Sequence, residues 1–383
     1  MLMEVVTHVG VDSRYPSLDD AAVTVIGAGV AGLTSALSLQ EAGANVRLQA
    51  DTKPGDPDWN DHYAVPTTAS EAAGASWKPF HLDFPDDHIR DHILATSWNW
   101  YQQRIDEDFP GVYKQRHIEA SDLGPIDEEA KAYYLDIIGS YGRWPLKSTD
   151  SAPATSPIPG NHPFAIWYNT IHFDVSTFLP ALAQRFEANG GVFEKLDEPF
   201  TDVAEATNQG GDAVILCVGL GARALLGDTS VHPVTGETLV VKGQVEFSPG
   251  ELPYSMSVQT SRTDDEAHFA NQYFYHHPGS DTTVVGGTAY PGHLDHVRPE
   301  AEIYMREGLA RNLGERLHTQ NEVIPRAGIR PERAGGVRVE IDEESTLQSG
   351  IVVALNYGHG GAGYTTAYGT ADLVTSLVAD KLS

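Results

Sequence analysis

Three glycines in the run Gly27-Ala28-Gly29-Val30-Ala31-Gly32 stand at the spacing with which a backbone wraps a pyrophosphate. In that chemistry Gly27 permits a tight turn, Gly29 lets the main chain approach the phosphates, and Gly32 lets the next helix lie close on the strand. The N-terminus of that helix then faces the negative charge. Asp51, about twenty residues further on, supplies the carboxylate that a ribose hydroxyl requires. Glycine fills 37 of 383 positions, so the spacing alone is weak and its surroundings must carry the inference. The pattern leaves NAD and FAD open.

Other reactive residue types fall away. Cys217 is the single cysteine and lies in an apolar run, which reads as packed interior rather than nucleophile. His88 and His92 are four apart and could share one helix face as metal ligands, but no third ligand is identifiable, so a solvated face is expected. His276 and His277 point to opposite faces of a strand and cannot chelate together. No metal site is expected. Neither a G-x-S-x-G elbow nor a P-loop is present, which removes the usual hydrolase and nucleoside-triphosphatase chemistry.

Elements must hold these residues. Ala22–Ile26 is an apolar run, and Leu33, Ala36, Leu37 and Leu39 follow at helical spacing. Gly43 closes that helix, and Asn45–Ala50 alternates as a second strand. The result is a βαβ opening. Residues 91–108 and 299–317 read as amphipathic helices, 175–189 as a helix capped near Asp174, and 192–196 and 212–218 as strands. Residues 254–287 are strand-rich, and 350–357 form a last strand before a glycine-rich turn and a closing helix at 365–378. No self-similar period suggests a solenoid or propeller.

The length suits two lobes around a large core. A net charge of -28, from 25 basic against 53 acidic residues, repels nucleic acid and anionic membranes, so neither is an expected partner. Residues 1–16 lack a basic start and an apolar core, and the lone cysteine fits a reducing compartment; a cytoplasmic protein is expected.

Five segments resemble the D-amino-acid oxidase family. Thr67-Thr68-Ala69-Ser70-Glu71-Ala72-Ala73-Gly74-Ala75-Ser76-Trp77-Lys78-Pro79-Phe80 is similar to its second FAD segment, most of all to the Ala-Gly-Ala, Trp, Pro, Phe run of the fungal members. Ala327-Gly328-Ile329-Arg330-Pro331 is similar to the Gly-hydrophobic-Arg-Pro segment, and Tyr275-His276-His277-Pro278 to the Tyr-x-x-Pro segment. Asn356-Tyr357-Gly358-His359-Gly360-Gly361-Ala362-Gly363-Tyr364-Thr365 is similar to the closing glycine-rich loop, and the strand and turn leading to Gly219 also match. The resemblance runs in pieces from Val23 to Thr365, residues 83–157 excepted.

The resemblance implies an α/β fold: a discontinuous Rossmann-like FAD-binding domain (22–80, 158–225 and 325–383) and a β-rich substrate-binding domain (81–157 and 226–324), after an N-terminal extension of residues 1–21. It implies FAD held by Gly27, Ala28, Gly29, Val30, Ala31, Gly32, Asp51, Thr67, Thr68, Ala73, Gly74, Trp77, Gly219, Gly358, Gly360, Gly361, Gly363, Tyr364 and Thr365. Arg330 becomes the clamp for a substrate carboxylate, because its planar fork makes two parallel charge-assisted bonds. Arg333 is its rival, Tyr275 adds a hydroxyl, and the Gly361 carbonyl accepts from the amine.

The implied reaction moves the α-hydrogen of a small amino acid or amine to the flavin as hydride, with O2 reduced to hydrogen peroxide and the imine hydrolysed. Where members place a second tyrosine or, in the D-aspartate branch, an arginine, this chain has Ala289 followed by Tyr290. That favours a neutral D-amino acid, with glycine or an N-substituted glycine as the alternative and a non-catalytic or NAD-linked protein as the rival of another class. A homodimer is allowed.

Overall fold

The computed structural model describes residues 16–56, 59, 68–79, 84, 86–144, 160–247, 253–260, 269 and 271–383. Thr67 and residues 1–15 lie outside them. In chain order the strands are β1 (Ala22–Ile26), β2 (Asn45–Ala50), β3 (Val112–Ser121), β4 (Tyr141–Trp144), β5 (Phe164–Phe173), β6 (Val192–Lys195), β7 (Ala213–Leu216), β8 (Val231–Val245), β9 (Tyr254–Gln259), β10 (Asn271–His277), β11 (Thr282–Gly286), β12 (Tyr290–Pro291), β13 (Leu317–Arg333), β14 (Arg338–Ile341) and β15 (Val352–Tyr357). The helices that position the site are α1 (Val30–Glu41), α2 (Ala69–Ala72), α3 (Asp87–Asp106), α4 (Val175–Ala188), α5 (Pro299–Asn312) and α6 (Gly363–Leu382).

Among the described residues six strands form one sheet in the order β14-β15-β7-β1-β2-β6, parallel except for the edge strand β14. Strands covered on both faces must be apolar throughout, and β7 (AVIL) is entirely buried, as is β15 (VVALNY). Helices α1 and α6 lie against each other on this sheet, joined by hydroxyls where small residues let them approach. Thr34 Oγ1 donates to the Ala367 carbonyl at 3.1 Å, and Thr375 Oγ1 to Ser38 Oγ at 2.9 Å. The βαβ opening and mixed α/β class read from the sequence are both present.

The second sheet has the order β12-β8-β11-β10-β9-β3-β5-β4, with β13 paired along β8. One face is apolar: Leu239, Val241, Met256, Val258, Phe274 and Val285 bury against Ala301, Tyr304 and Met305 of α5. Because side chains alternate along a strand, the other face takes Tyr273, Tyr275, Ser257, His117 and Glu119, and it is polar.

Two differences from the sequence expectation concern where the layers divide. β5 falls within the segment 158–225 assigned to the cofactor layer, yet all ten of its residues pair with β3 in the second sheet. Nothing local marks the sheet a strand joins. The expected boundary at 325 falls inside β13, a continuous strand from Leu317 to Arg333. Helix α3 starts at Asp87 because Asp86 caps it, accepting from the His88 and Ile89 amides at 2.7 and 3.2 Å. No helix among the described residues is long and apolar enough to cross a membrane.

Candidate active site

The turn between β1 and α1 requires its glycines. Gly27 has φ +107°, and a Cβ there would stand 2.5 Å from the Cys217 carbonyl oxygen; a Cβ on Gly32 would stand 1.8 Å from the Gly27 carbonyl oxygen. Gly29 is the N-cap of α1, with only Ser70 Oγ near its open side at 3.1 Å. The Val30 amide donates to Ser70 Oγ at 3.0 Å, and Ala28 is buried beside it while Ala31 is half-buried. Asp51 is exposed directly after β2, the parallel neighbour of β1. Turn, helix N-terminus and carboxylate therefore occur in the order a dinucleotide needs.

A second segment is held over this turn by α2 and α6. Thr68 and Glu71 form a capping box: Thr68 Oγ1 accepts from the Glu71 amide at 3.3 Å, and Glu71 Oε2 from the Thr68 amide at 2.9 Å. Tyr364 donates its hydroxyl to the Ser70 carbonyl at 2.9 Å. Thr365 Oγ1 accepts from the Lys78 amide at 3.1 Å and donates to the Lys78 carbonyl at 2.9 Å. Ala73 and Gly74 lie between these anchors, and Gly74 abuts the second sheet: a Cβ there would stand 2.7 Å from Tyr273 Cε2 and 3.0 Å from Tyr275 Cδ2.

Trp77 departs from expectation. Its ring is fully buried in the core, edge-on to Trp98 with centroids 4.8 Å apart, and its backbone is bonded to β5, the amide donating to the Ile171 carbonyl at 2.7 Å and the carbonyl accepting from Thr170 Oγ1 at 2.7 Å. Gly358, Gly360, Gly361 and Gly363 form the turn between β15 and α6, the first two at φ +85° and +51°, and Gly361 is exposed. Gly219, at φ +51°, ends the turn after β7 and faces Pro331.

The second sheet carries a guanidinium. Arg330 Nη1 donates to the Thr288 carbonyl at 3.2 Å, and its fork lies over Gly236 of β8. Among the described residues no carboxylate pairs with it. Its rival is engaged: Arg333 Nε donates to Asp228 Oδ2 at 2.9 Å, and that arginine, with the Tyr357 hydroxyl, holds the part-buried Asp228 carboxyl down at about 2 against burial, which alone would raise it. Tyr275 stacks on Tyr273 with centroids 4.5 Å apart. Burial, with Tyr273 and Glu119 next to it, pushes the Tyr275 phenol far up, so it stays a proton donor.

Tyr273 was not singled out in the sequence; the two-residue spacing from Tyr275 was the available signal. Tyr290 does not take the second position. Its ring lies 4.7 Å under Arg298, which is paired to Glu237 at 2.6 Å. Lys78, Glu119 and Lys131 also escaped notice: both ammonium groups lie 3.0 Å from the buried Glu119 carboxylate. Cys217 is buried, and burial pushes its thiol up to about 12, as packed interior requires. His92 lies 3.6 Å from Asp372 while His88 is exposed, and no metal-binding cluster is present among the described residues.

The family model described as FAD dependent oxidoreductase matches residues 22–377, so the chain belongs to that family of flavin enzymes. It is 31% identical to a D-amino-acid oxidase of Streptomyces coelicolor over 94% of this chain and 97% of the relative. It is 28% identical to a D-amino-acid oxidase of Rubrobacter xylanophilus over 95% and 97%. The crystal structure of glycine oxidase from Geobacillus kaustophilus matches with a TM-score of 0.65 at 18% identity, covering 94% of this chain and 95% of that one. The cofactor is FAD, and the residues present fit it: a turn closed to any side chain at Gly27 and Gly32, an open approach at Gly29, an exposed Asp51, and the small residues Ala73 and Gly74 between the two layers.

Proposed function

We propose that the chain is an FAD-dependent oxidase of a small D-amino acid. The observation that carries this reading is Arg330, a half-buried guanidinium without an anionic partner among the described residues, close enough to Tyr273 and Tyr275 to act on both phenols. Its fork binds a substrate carboxylate through two parallel bonds, and the Tyr275 hydroxyl donates a third. The exposed turn at Gly361 supplies a carbonyl for the amine, which must be unprotonated to release its lone pair. FAD, held by the glycine turn and the segment of Ala73 and Gly74, would supply a two-electron acceptor for the hydride of the substrate α-carbon, with O2 as the terminal oxidant and hydrogen peroxide as its product. No residue of the chain needs to act as a general base; its part is to hold the α-carbon in one orientation and keep water out. Ala289 places no cation at the end of β11, which favours a neutral side chain.

A peroxide assay on the purified yellow protein tests the reading across D- and L-amino acids, glycine and N-substituted glycines. D-amino acids should react fastest, and Arg330→Ala should lose that activity while retaining flavin. A preference for glycine or secondary amines would move the substrate to that class. An Arg330→Ala enzyme as fast as wild type would reject the clamp.

A further inference from the structure

Beyond Tyr275, on the polar face of the second sheet, lies a set of buried groups that the carboxylate clamp does not use. Lys78 Nζ and Lys131 Nζ each lie 3.0 Å from Glu119, which also accepts from the Tyr168 hydroxyl at 3.3 Å. Two ammonium groups against one carboxylate leave this cluster with an excess positive charge. Burial alone would raise the Glu119 carboxyl, but the two lysines hold it down at about 2, so it stays ionised.

Next to this cluster are polar atoms with no partner among the described residues. Ser76 Oγ, both ring nitrogens of His172 and Nδ1 of His117 are buried without a hydrogen bond. His172 and His117 have no exposed surface, and their rings stand 5.4 and 5.8 Å from that of Tyr275. His117 Nε2 is held by Ser257 Oγ at 2.9 Å. Buried polar groups are rarely left unmatched, so so many at one place call for a guest.

Sheet order fixes which end of a substrate they meet. Arg330 lies on β13, beside β8; Tyr275 lies on β10; His117 and Glu119 lie on β3 and His172 on β5, in the order β8-β11-β10-β9-β3-β5. Tyr275 thus stands between the clamp and the buried cluster. We propose that Lys78, Ser76 and His172 receive the far end of the substrate, and that this end is a side chain terminating in an oxygen acceptor: a carboxamide, as the absence of a cation at Ala289 favours, or a carboxylate for which Lys78 supplies the cation that Ala289 does not. Lys78 has ammonium protons beyond the one given to Glu119, Ser76 has a hydroxyl, and neutral His172 has one N–H. Its backbone bonds to Thr365 hold Lys78 in register with the closing helix. An aliphatic side chain would leave all three donors unmatched.

The inference rests on the amino-acid oxidase reading, and the test separates the two. For the holoenzyme, kcat/KM is measured on D-asparagine, D-aspartate, the near-isosteric D-leucine, and D-alanine. At least one of the first two should exceed D-leucine by roughly tenfold or more. Whichever leads tells amide from anion. Lys78→Met and Ser76→Ala should each lower the ratio of that substrate to D-alanine, the first by roughly tenfold; Ser76→Ala, which removes one oxygen, guards against misfolding of the lysine variant.

Binding is read independently of turnover from the change in flavin absorbance with succinamate, succinate and 4-methylpentanoate. One of the first two should bind more tightly than the third, and Ser76→Ala should narrow the gap. If D-leucine equals both acceptor substrates, or the variants reduce all substrates alike, the subsite is wrong. If no amino acid is oxidised, the reaction proposed above fails, and the three ligands still decide the subsite.

Discussion

The guanidinium of Arg330 lies directly over Gly236 of the neighbouring strand: a Cβ at 236 would stand 2.5 Å from Nη2 and 2.7 Å from Cζ. Gly236 therefore sets where the clamp can lie. Gly236→Ala should push aside the end of a flexible side chain, leave folding and flavin content intact, and lower kcat/KM roughly tenfold by displacing the carboxylate site. Steady-state kinetics beside a thermal melt checks this, and unchanged kinetics would reject the contact.

Arg330→Ala removes the guanidinium itself. Loss of transition-state stabilisation on the order of 3 kcal/mol is expected for every carboxylate substrate. Arg330→Lys should recover only part, since a point charge cannot reproduce a fork. Flavin absorbance should match wild type in both, because the residue is held on β13 by Thr288 and Gly236 and not by the glycine turn.

The glycine turn separates folding from cofactor binding. Gly29→Val places its branches toward the phosphate approach, where the nearest protein atom is a serine hydroxyl, and should yield folded, colourless protein. Gly32→Ala meets main chain at 1.8 Å and should fail to fold. Circular dichroism with flavin content by absorbance distinguishes them, and a yellow Gly29→Val protein would sink the assignment.

Acid should destabilise the protein through histidines buried neutral. Burial lowers His359, and His277 as well, to about 4 from the ordinary 6.5. A group depressed in the folded state contributes stability that is complete above its unfolded value and lost as pH falls through the folded one. Between about pH 6.5 and about pH 4 each should withdraw on the order of 3 kcal/mol. Melting temperature followed over that window should fall, and His359→Asn should make the fall shallower; identical slopes would exclude His359 as a source.

The βαβ opening was readable because strand, glycines, helix and acid are neighbours in the chain, and each glycine answers a local steric demand. Lys78 and Glu119 were not, since their pairing is created only when the second FAD-like segment pairs with β5, the neighbour of β3. β5 failed for a related reason: its apolar run fits either sheet, and the choice is made by a ten-residue ladder with β3 that no local propensity encodes. Arg330 was legible only through a family resemblance; its isolation from acidic partners, and Gly236 beneath it, are facts of packing.

The bonds from Tyr364 and Thr365 to Ser70 and Lys78 carry a consequence for synthesis. The segment that overlies the glycine turn is fastened by the first turn of α6, so residues almost three hundred positions apart must meet before the site is complete. A nascent chain whose first lobe has already left the ribosome still lacks that fastening. Cofactor capture is thereby deferred until residues 363–365 have been made and folded, and a chain truncated before Gly363 should accumulate without colour.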